Sequence, residues 1–208
     1  MIDPAGYPFI GGTAALAVAA ALTVGSVGAV PLLILTGFFL YFFRDPDRAS
    51  PQDPRFVLSP ADGRVLVAGP ADPSAAPPGE WRQISIFLSP LDVHVNRSPV
   101  SGRVTKVDFR KGKYLLAYHR DAAAANERSE VWVDHLGFTV VFRQIVGILA
   151  RRVVCRVKPG ADLKAGERFG IMKFGSRMDV FVPPRAELRV SKGDKVVGGV
   201  TVIAVFNA

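Results

Sequence analysis

The sequence predicts a mainly β body, sandwich- or barrel-like, carried behind an N-terminal hydrophobic helical membrane anchor. Three observations carry that expectation. From Pro8 to Phe43 there is no Asp, Glu, Lys, Arg or His. Beyond residue 60, short apolar or alternating runs recur, each bounded by Gly, Pro, Asp or Ser, which is the pattern of strands and turns. A turn-to-strand sequence also occurs twice, as Ser59-Pro60-Ala61-Asp62-Gly63-Arg64-Val65 and as Ser98-Pro99-Val100-Ser101-Gly102-Arg103-Val104.

The apolar run exceeds the roughly 20 residues that cross a hydrocarbon core, and no basic segment precedes it as in a signal peptide. Pro31, with Gly25 and Gly28 before it, divides the run, which suits one kinked helix or a helical hairpin. Residues 1–43 form the expected anchor and residues 44–208 the expected globular domain. All 26 Lys and Arg residues follow the run. The positive-inside rule therefore places the body on the cytoplasmic side of the cell (inner) membrane. A single cysteine, Cys155, excludes an internal disulfide framework and reads as a small buried hydrophobe.

Residues 44–58 read as a polar linker. Strands are expected at Arg64–Val67, Gln83–Leu88, Gly102–Phe109, Val131–Val133, Phe138–Ile145, Arg151–Val157, Arg168–Phe174, Met178–Val182, Glu187–Val190 and Val200–Phe206. Asp121–Glu130 alone looks helical. The turns Lys158-Pro159-Gly160 and Lys192-Gly193-Asp194, with the repeated segment, suggest duplicated lipoyl-like hairpins. The copies differ at one informative place: Asp62 stands where the second copy has Ser101. A net charge of +8 suits an anionic membrane surface better than nucleic acid, because no recognition-helix or single-strand signature accompanies it.

Candidate chemistry is sparse. No zinc spacing, phosphate loop or nucleophile elbow occurs, so no metal site is expected. If Ser89–Pro99 is extended, Asp92, His94 and Asn96 share one face, and Asp92 beside His94 makes an acid–base pair. Phe174-Gly175-Ser176 lies in a strand-like stretch. There the Ser176 hydroxyl could attack the Gly175 carbonyl, which no side chain obstructs.

Taken in order, Ser-Pro-Ala-Asp-Gly, Ser-Pro-Leu-Asp-Val-His and Phe-Gly-Ser behind an apolar N-terminus resemble the phosphatidylserine decarboxylases, in their short bacterial and archaeal form. Phe43-Arg44-Asp45-Pro46 and Asn126-Glu127-Arg128 share the resemblance. It implies self-cleavage at Gly175-Ser176 into a β chain (1–175) and an α chain (176–208), which stay together as a heterodimer; a higher oligomer is compatible with it. It further implies a pyruvoyl cofactor made from Ser176, which forms a Schiff base with phosphatidylserine and releases carbon dioxide and phosphatidylethanolamine.

By the same resemblance Asp62 assists the base during maturation and His94 serves decarboxylation. Where longer forms carry a second histidine, this chain has Arg97, whose guanidinium is no base near neutral pH. His94 is then expected in both roles, with Asp62 or His119 as substitutes, and Arg97 as a holder of substrate carboxylate or phosphate. Lys111–Tyr118 is a candidate basic, partly apolar mouth. The rival readings are a membrane-anchored, non-enzymatic adaptor with a lipoyl-like β domain, and an unprocessed, inactive family member.

Overall fold

The computed structural model describes residues 1–119, 121–147, 153–173 and 175–207. The ends of two expected strands, at Arg151 and Phe174, lie outside them. The chain divides into two compact units, Met1–Asp47 and Arg48–Ala208.

The first unit is a helical hairpin of α1 (Tyr7–Thr23) and α2 (Ser26–Phe42). The break falls at Gly25, which adopts φ +80°, a left-handed conformation that costs glycine little. Pro31, expected to divide the run, sits inside α2 instead. Across the hairpin Thr36 donates to Thr13 at 2.9 Å, and Phe9 packs 5.4 Å from Phe39. Pro4–Thr23 is long and apolar enough to cross a membrane. Most of its side chains are exposed.

The second unit is mainly β. Its strands are β1 (Phe56–Leu58), β2 (Gly63–Pro70), β3 (Arg82–Leu88), β4 (Val95–Arg97) and β5 (Gly102–Arg110). After a short helix, α3 (Ala122–Ala125), come β6 (Arg128–His135), β7 (Phe138–Val146), β8 (Val153–Cys155), β9 (Asp162–Leu163), β10 (Arg168–Met172) and β11 (Ser176–Val182). The last three are β12 (Glu187–Leu188), β13 (Lys195–Val196) and β14 (Val202–Val205). An eight-stranded sheet has the order β13-β2-β3-β11-β7-β6-β5-β9, with two three-stranded sheets, β1-β14-β12 and β4-β10-β8. The main core forms where alternate residues of these strands meet, including Ile84, Ile86 and Leu88 of β3, Phe142 of β7, and Met178, Val180 and Val182 of β11.

The repeated segment is duplicated in backbone bonding. Leu58 donates to the Pro99 carbonyl and Arg97 to the Pro60 carbonyl, at 2.8 and 2.9 Å. Gly63 and Gly102 both sit near φ +150°, and a Cβ at either would meet a neighbouring carbonyl oxygen at 2.1 Å. Only glycine fits there. Each copy bonds its own distal turn: Gly193 donates to Val65 and Gly160 to Val104. This is a paired-turn duplication; it does not by itself make the body a lipoyl module.

Three expected elements differ, the first being the linker of residues 44–58, whose end forms β1 and pairs with β14. The helix at Asp121–Glu130 is only α3, because the Asn126 side chain binds Leu115 N, Leu115 O and Val146 O, and Arg128 already belongs to β6. Residues 89–94 are a turn followed by irregular chain rather than a strand, which begins at Val95.

Candidate active site

Ser176 is the first residue of β11, the strand held between β3 and β7, and lies opposite Leu88 on one side and Val146 on the other. Alternation turns its side chain to the face of Met178 and Val180. It is fully buried, and its hydroxyl oxygen has no hydrogen-bond partner among the described residues. An orphaned hydroxyl in an apolar setting is costly, on the order of 1–3 kcal/mol, and such costs are concentrated at functional positions. Gly175 before it holds φ +70°, while a Cβ there would meet nothing within 4 Å. Glycine is needed for the backbone angle rather than for space.

His94 is also fully buried. Its Nδ1 lies 2.9 Å from the Asp92 carbonyl oxygen. A carbonyl only accepts, so Nδ1 carries the proton, and Nε2 is the acceptor of the neutral ring. The Gly175 N–H donates to that Nε2 at 3.4 Å. The imidazole therefore reaches the Gly175 N–H, one amide before the peptide bond that the sequence singles out. Asp92 orients it through its main chain. Its carboxylate instead accepts from Ser89 N at 2.8 Å and shapes the turn. Residues 92 to 94 form no strand, so the alternation from which a shared face of Asp92 and His94 was expected does not apply there.

Asp62 lines a cavity together with Ser89 and Asp92. Arg48 grips it through both carboxylate oxygens, with Nη2 to Oδ2 at 2.8 Å, and Gly198 N donates to Oδ1 at 2.8 Å. Its counterpart in the duplication, Ser101, accepts from Ala165 N at 2.9 Å in the same manner. Both residues thus receive an N–H from the facing turn, and the charge at position 62 is matched to Arg48. The strand β3 separates β2 from β11, so the Asp62 backbone stands two strand spacings, about 10 Å, from that of Ser176. Arg97 is buried, and its guanidinium donates to the Gly166 carbonyl at 3.0 Å. His119 is largely exposed and lies 3.8 Å from Asp121.

Two residues near Ser176 carried no local sequence signal. Gly147 passes so close to the cleavage peptide that a Cβ there would stand 2.2 Å from the Gly175 carbonyl oxygen and 3.3 Å from Ala117 Cβ. Arg177 is buried on the opposite face of β11, bonded to Asp179 at 2.6 Å and Ser85 at 2.9 Å. The Lys111–Tyr118 segment borders this end of the sheet. Asn126 pins it at Leu115, and Tyr118, more than half exposed, packs edge-on against Phe87 at 5.9 Å. Burial pushes the Cys155 thiol above its ordinary range, which keeps it protonated and unreactive.

Residues 35–204 match the family model described as phosphatidylserine decarboxylase. The phosphatidylserine decarboxylase proenzyme of Solibacter usitatus is 44% identical over 91% of this chain and 91% of its own length. That of Pelodictyon phaeoclathratiforme is 40% identical over 92% of each. The Chlorobium limicola proenzyme is 40% identical over 99% of this chain and 100% of its own. By that match and those identities along nearly its full length, the chain belongs to the phosphatidylserine decarboxylase family.

Proposed function

We propose that this chain cleaves itself at Gly175-Ser176 and then decarboxylates phosphatidylserine to phosphatidylethanolamine and carbon dioxide. The observation that carries the reading is the buried Ser176 hydroxyl, unpartnered among the described residues, next to Gly175, whose own N–H faces His94 Nε2. Membership of an enzyme family, with relatives named as proenzymes, favours it over a non-enzymatic adaptor.

In maturation, Ser176 Oγ adds to the Gly175 carbonyl carbon while His94 Nε2 takes its proton. The proton passes to the Ser176 nitrogen as the amide bond breaks, leaving an ester. Gly147 leaves room for the carbonyl oxygen as its carbon becomes tetrahedral. Loss of the Ser176 α-proton then expels the Gly175 carboxylate, and hydrolysis with loss of ammonia leaves the pyruvoyl group. That group supplies an electron sink for the electrons freed as carbon dioxide departs. His94, whose Nδ1 stays bonded to the Asp92 carbonyl, holds the proton that the product carbon receives. Asp62 and Arg97 are given no proton-transfer step; the first fixes the start of β2 through Arg48, the second the end of β4 through Gly166.

The two product chains are expected to stay associated, because β11 of the shorter chain is paired on both sides by β3 and β7 of the longer. The apolar hairpin serves as the membrane anchor. With every Lys and Arg beyond it, the body belongs on the cytoplasmic side, against an anionic surface. Ser176→Ala tests the reading. The chain should remain whole and release no carbon dioxide from carboxyl-labelled phosphatidylserine. Retained release would remove Ser176 from the mechanism.

A further inference from the structure

On the face of the large sheet opposite Ser176, three guanidinium groups line one cavity. Its volume is about 470 Å³, and it lies between the Pro73–Gly79 loop and Arg110, Arg128, Glu130 and Arg143. The face follows from register: Arg143 lies opposite Asp179, and Asp179 alternates with the core-facing Met178 and Val180.

The charges in this cavity do not balance. Arg143 is paired with Glu130, and Arg110 with Asp108 at 3.2 Å. Arg128 forms no ion pair among the described residues. It is 9% exposed, its Nη1 donates to the Ala123 and Ala124 carbonyls at 3.2 and 2.7 Å, and its Nε is buried without a partner among the described residues. Arg128 also stands directly across from Arg110 in the β5–β6 ladder. Like charges directly opposite in a sheet repel. Counting Lys106, which lies 3.8 Å from Asp108, four cations face two carboxylates. Burial and the Arg143 and Arg110 charges lower the Arg128 pKa, a strain on the cation that a bound anion would relieve.

We propose that this cavity is an anion site for a phosphate-type group, held by Arg110 and Arg128 with Arg143 as its charged wall. Guanidinium forks match phosphate oxygens in charge and in geometry. The loop that covers the site carries three prolines, Pro73, Pro77 and Pro78, so little backbone freedom is lost on closing over a ligand. A soluble phosphate ester and the phosphodiester of an anionic lipid headgroup offer the same chemistry. Separated from Ser176 by the thickness of the sheet, the site is independent of the decarboxylation reading.

The chain's two tryptophans report on it. Trp132 Nε1 donates to Glu130 at 2.6 Å, Trp81 Nε1 donates to the Pro78 carbonyl at 3.2 Å, and the rings pack edge-on. The full chain is placed in phosphatidylcholine vesicles and its tryptophan emission titrated with inorganic phosphate, against chloride at equal ionic strength. A second series replaces part of the phosphatidylcholine with phosphatidylglycerol. A saturable change with phosphate identifies a soluble ligand; a change with phosphatidylglycerol alone identifies a lipid headgroup. In either case Arg110→Gln, at an exposed position, should weaken the response about tenfold. Arg128→Lys should do likewise, and Lys164→Gln, an equal loss of charge elsewhere, should not. Ser176→Ala, left uncut, should titrate as the parent chain does. The absence of a saturable change with both probes, or a change untouched by Arg110→Gln, would overturn the site.

Discussion

Gly147→Ala isolates the geometry at the cleavage peptide. The added Cβ would stand 2.2 Å from the Gly175 carbonyl oxygen. Since Cβ atoms do not approach other heavy atoms within 3.0 Å, that oxygen must retreat by about 1 Å. The obstructing atom belongs to the backbone, so no side-chain rotation relieves it. Gly147 does not have a positive φ, so alanine brings no backbone strain of its own. A displacement of that size at a reacting carbonyl costs on the order of a hundredfold in rate, about 2.7 kcal/mol of barrier. Cleavage is followed by intact mass after cell-free synthesis. Thermal unfolding of uncut Ser176→Ala chains, with and without the second substitution, separates a slowed reaction from a damaged fold. Cleavage of Gly147→Ala at the parent rate would show that Gly147 does not set the carbonyl's position.

Other outcomes follow from the same contacts. His94→Gln should leave the chain uncut, because no second imidazole faces Gly175 among the described residues; gel analysis of fresh protein reads this directly. Asp62→Asn should lower stability by about 2–3 kcal/mol, since it leaves the Arg48 guanidinium half-paired in a buried setting, and chemical denaturation measures it. If cleavage persists in that variant, Asp62 acts through structure alone. Ser101→Ala at the equivalent turn should cost about 1 kcal/mol, the price of one acceptor lost to Ala165 N. Cys155 should react with an aromatic disulfide at pH 8 more slowly than a free thiol, because burial raises its pKa and withholds the thiolate.

Much of the fold could be read from the sequence because its signals are local. Alternation and turn residues marked β2, β3, β5, β7 and β11, and the absence of charge marked the hairpin. The elements that escaped depend on distant partners. The length of α3 is set by Asn126 reaching Leu115 and Val146, and β4 exists because β10 pairs with it. At the proposed site, Ser176 and His94 were singled out by residue type and order, and His94 Nε2 accepts from the Gly175 N–H. The shared face of Asp92 and His94 was argued from strand alternation, and a turn stands where that strand was expected. Gly147 and Arg48 gave no local sign at all. Their importance comes from close approach to Gly175 and to Asp62, across 28 and 14 residues of chain.

The central claim is that Ser176 is consumed to make the catalytic group. Intact mass of the protein purified from membranes tests it most directly. Two chains are expected, the first ending at Gly175 and the second spanning the 33 residues from 176 to 208. The second should be blocked at its N-terminus and lighter than a serine-started chain by the mass of one ammonia. A single uncut chain in preparations that release carbon dioxide from phosphatidylserine would contradict the account.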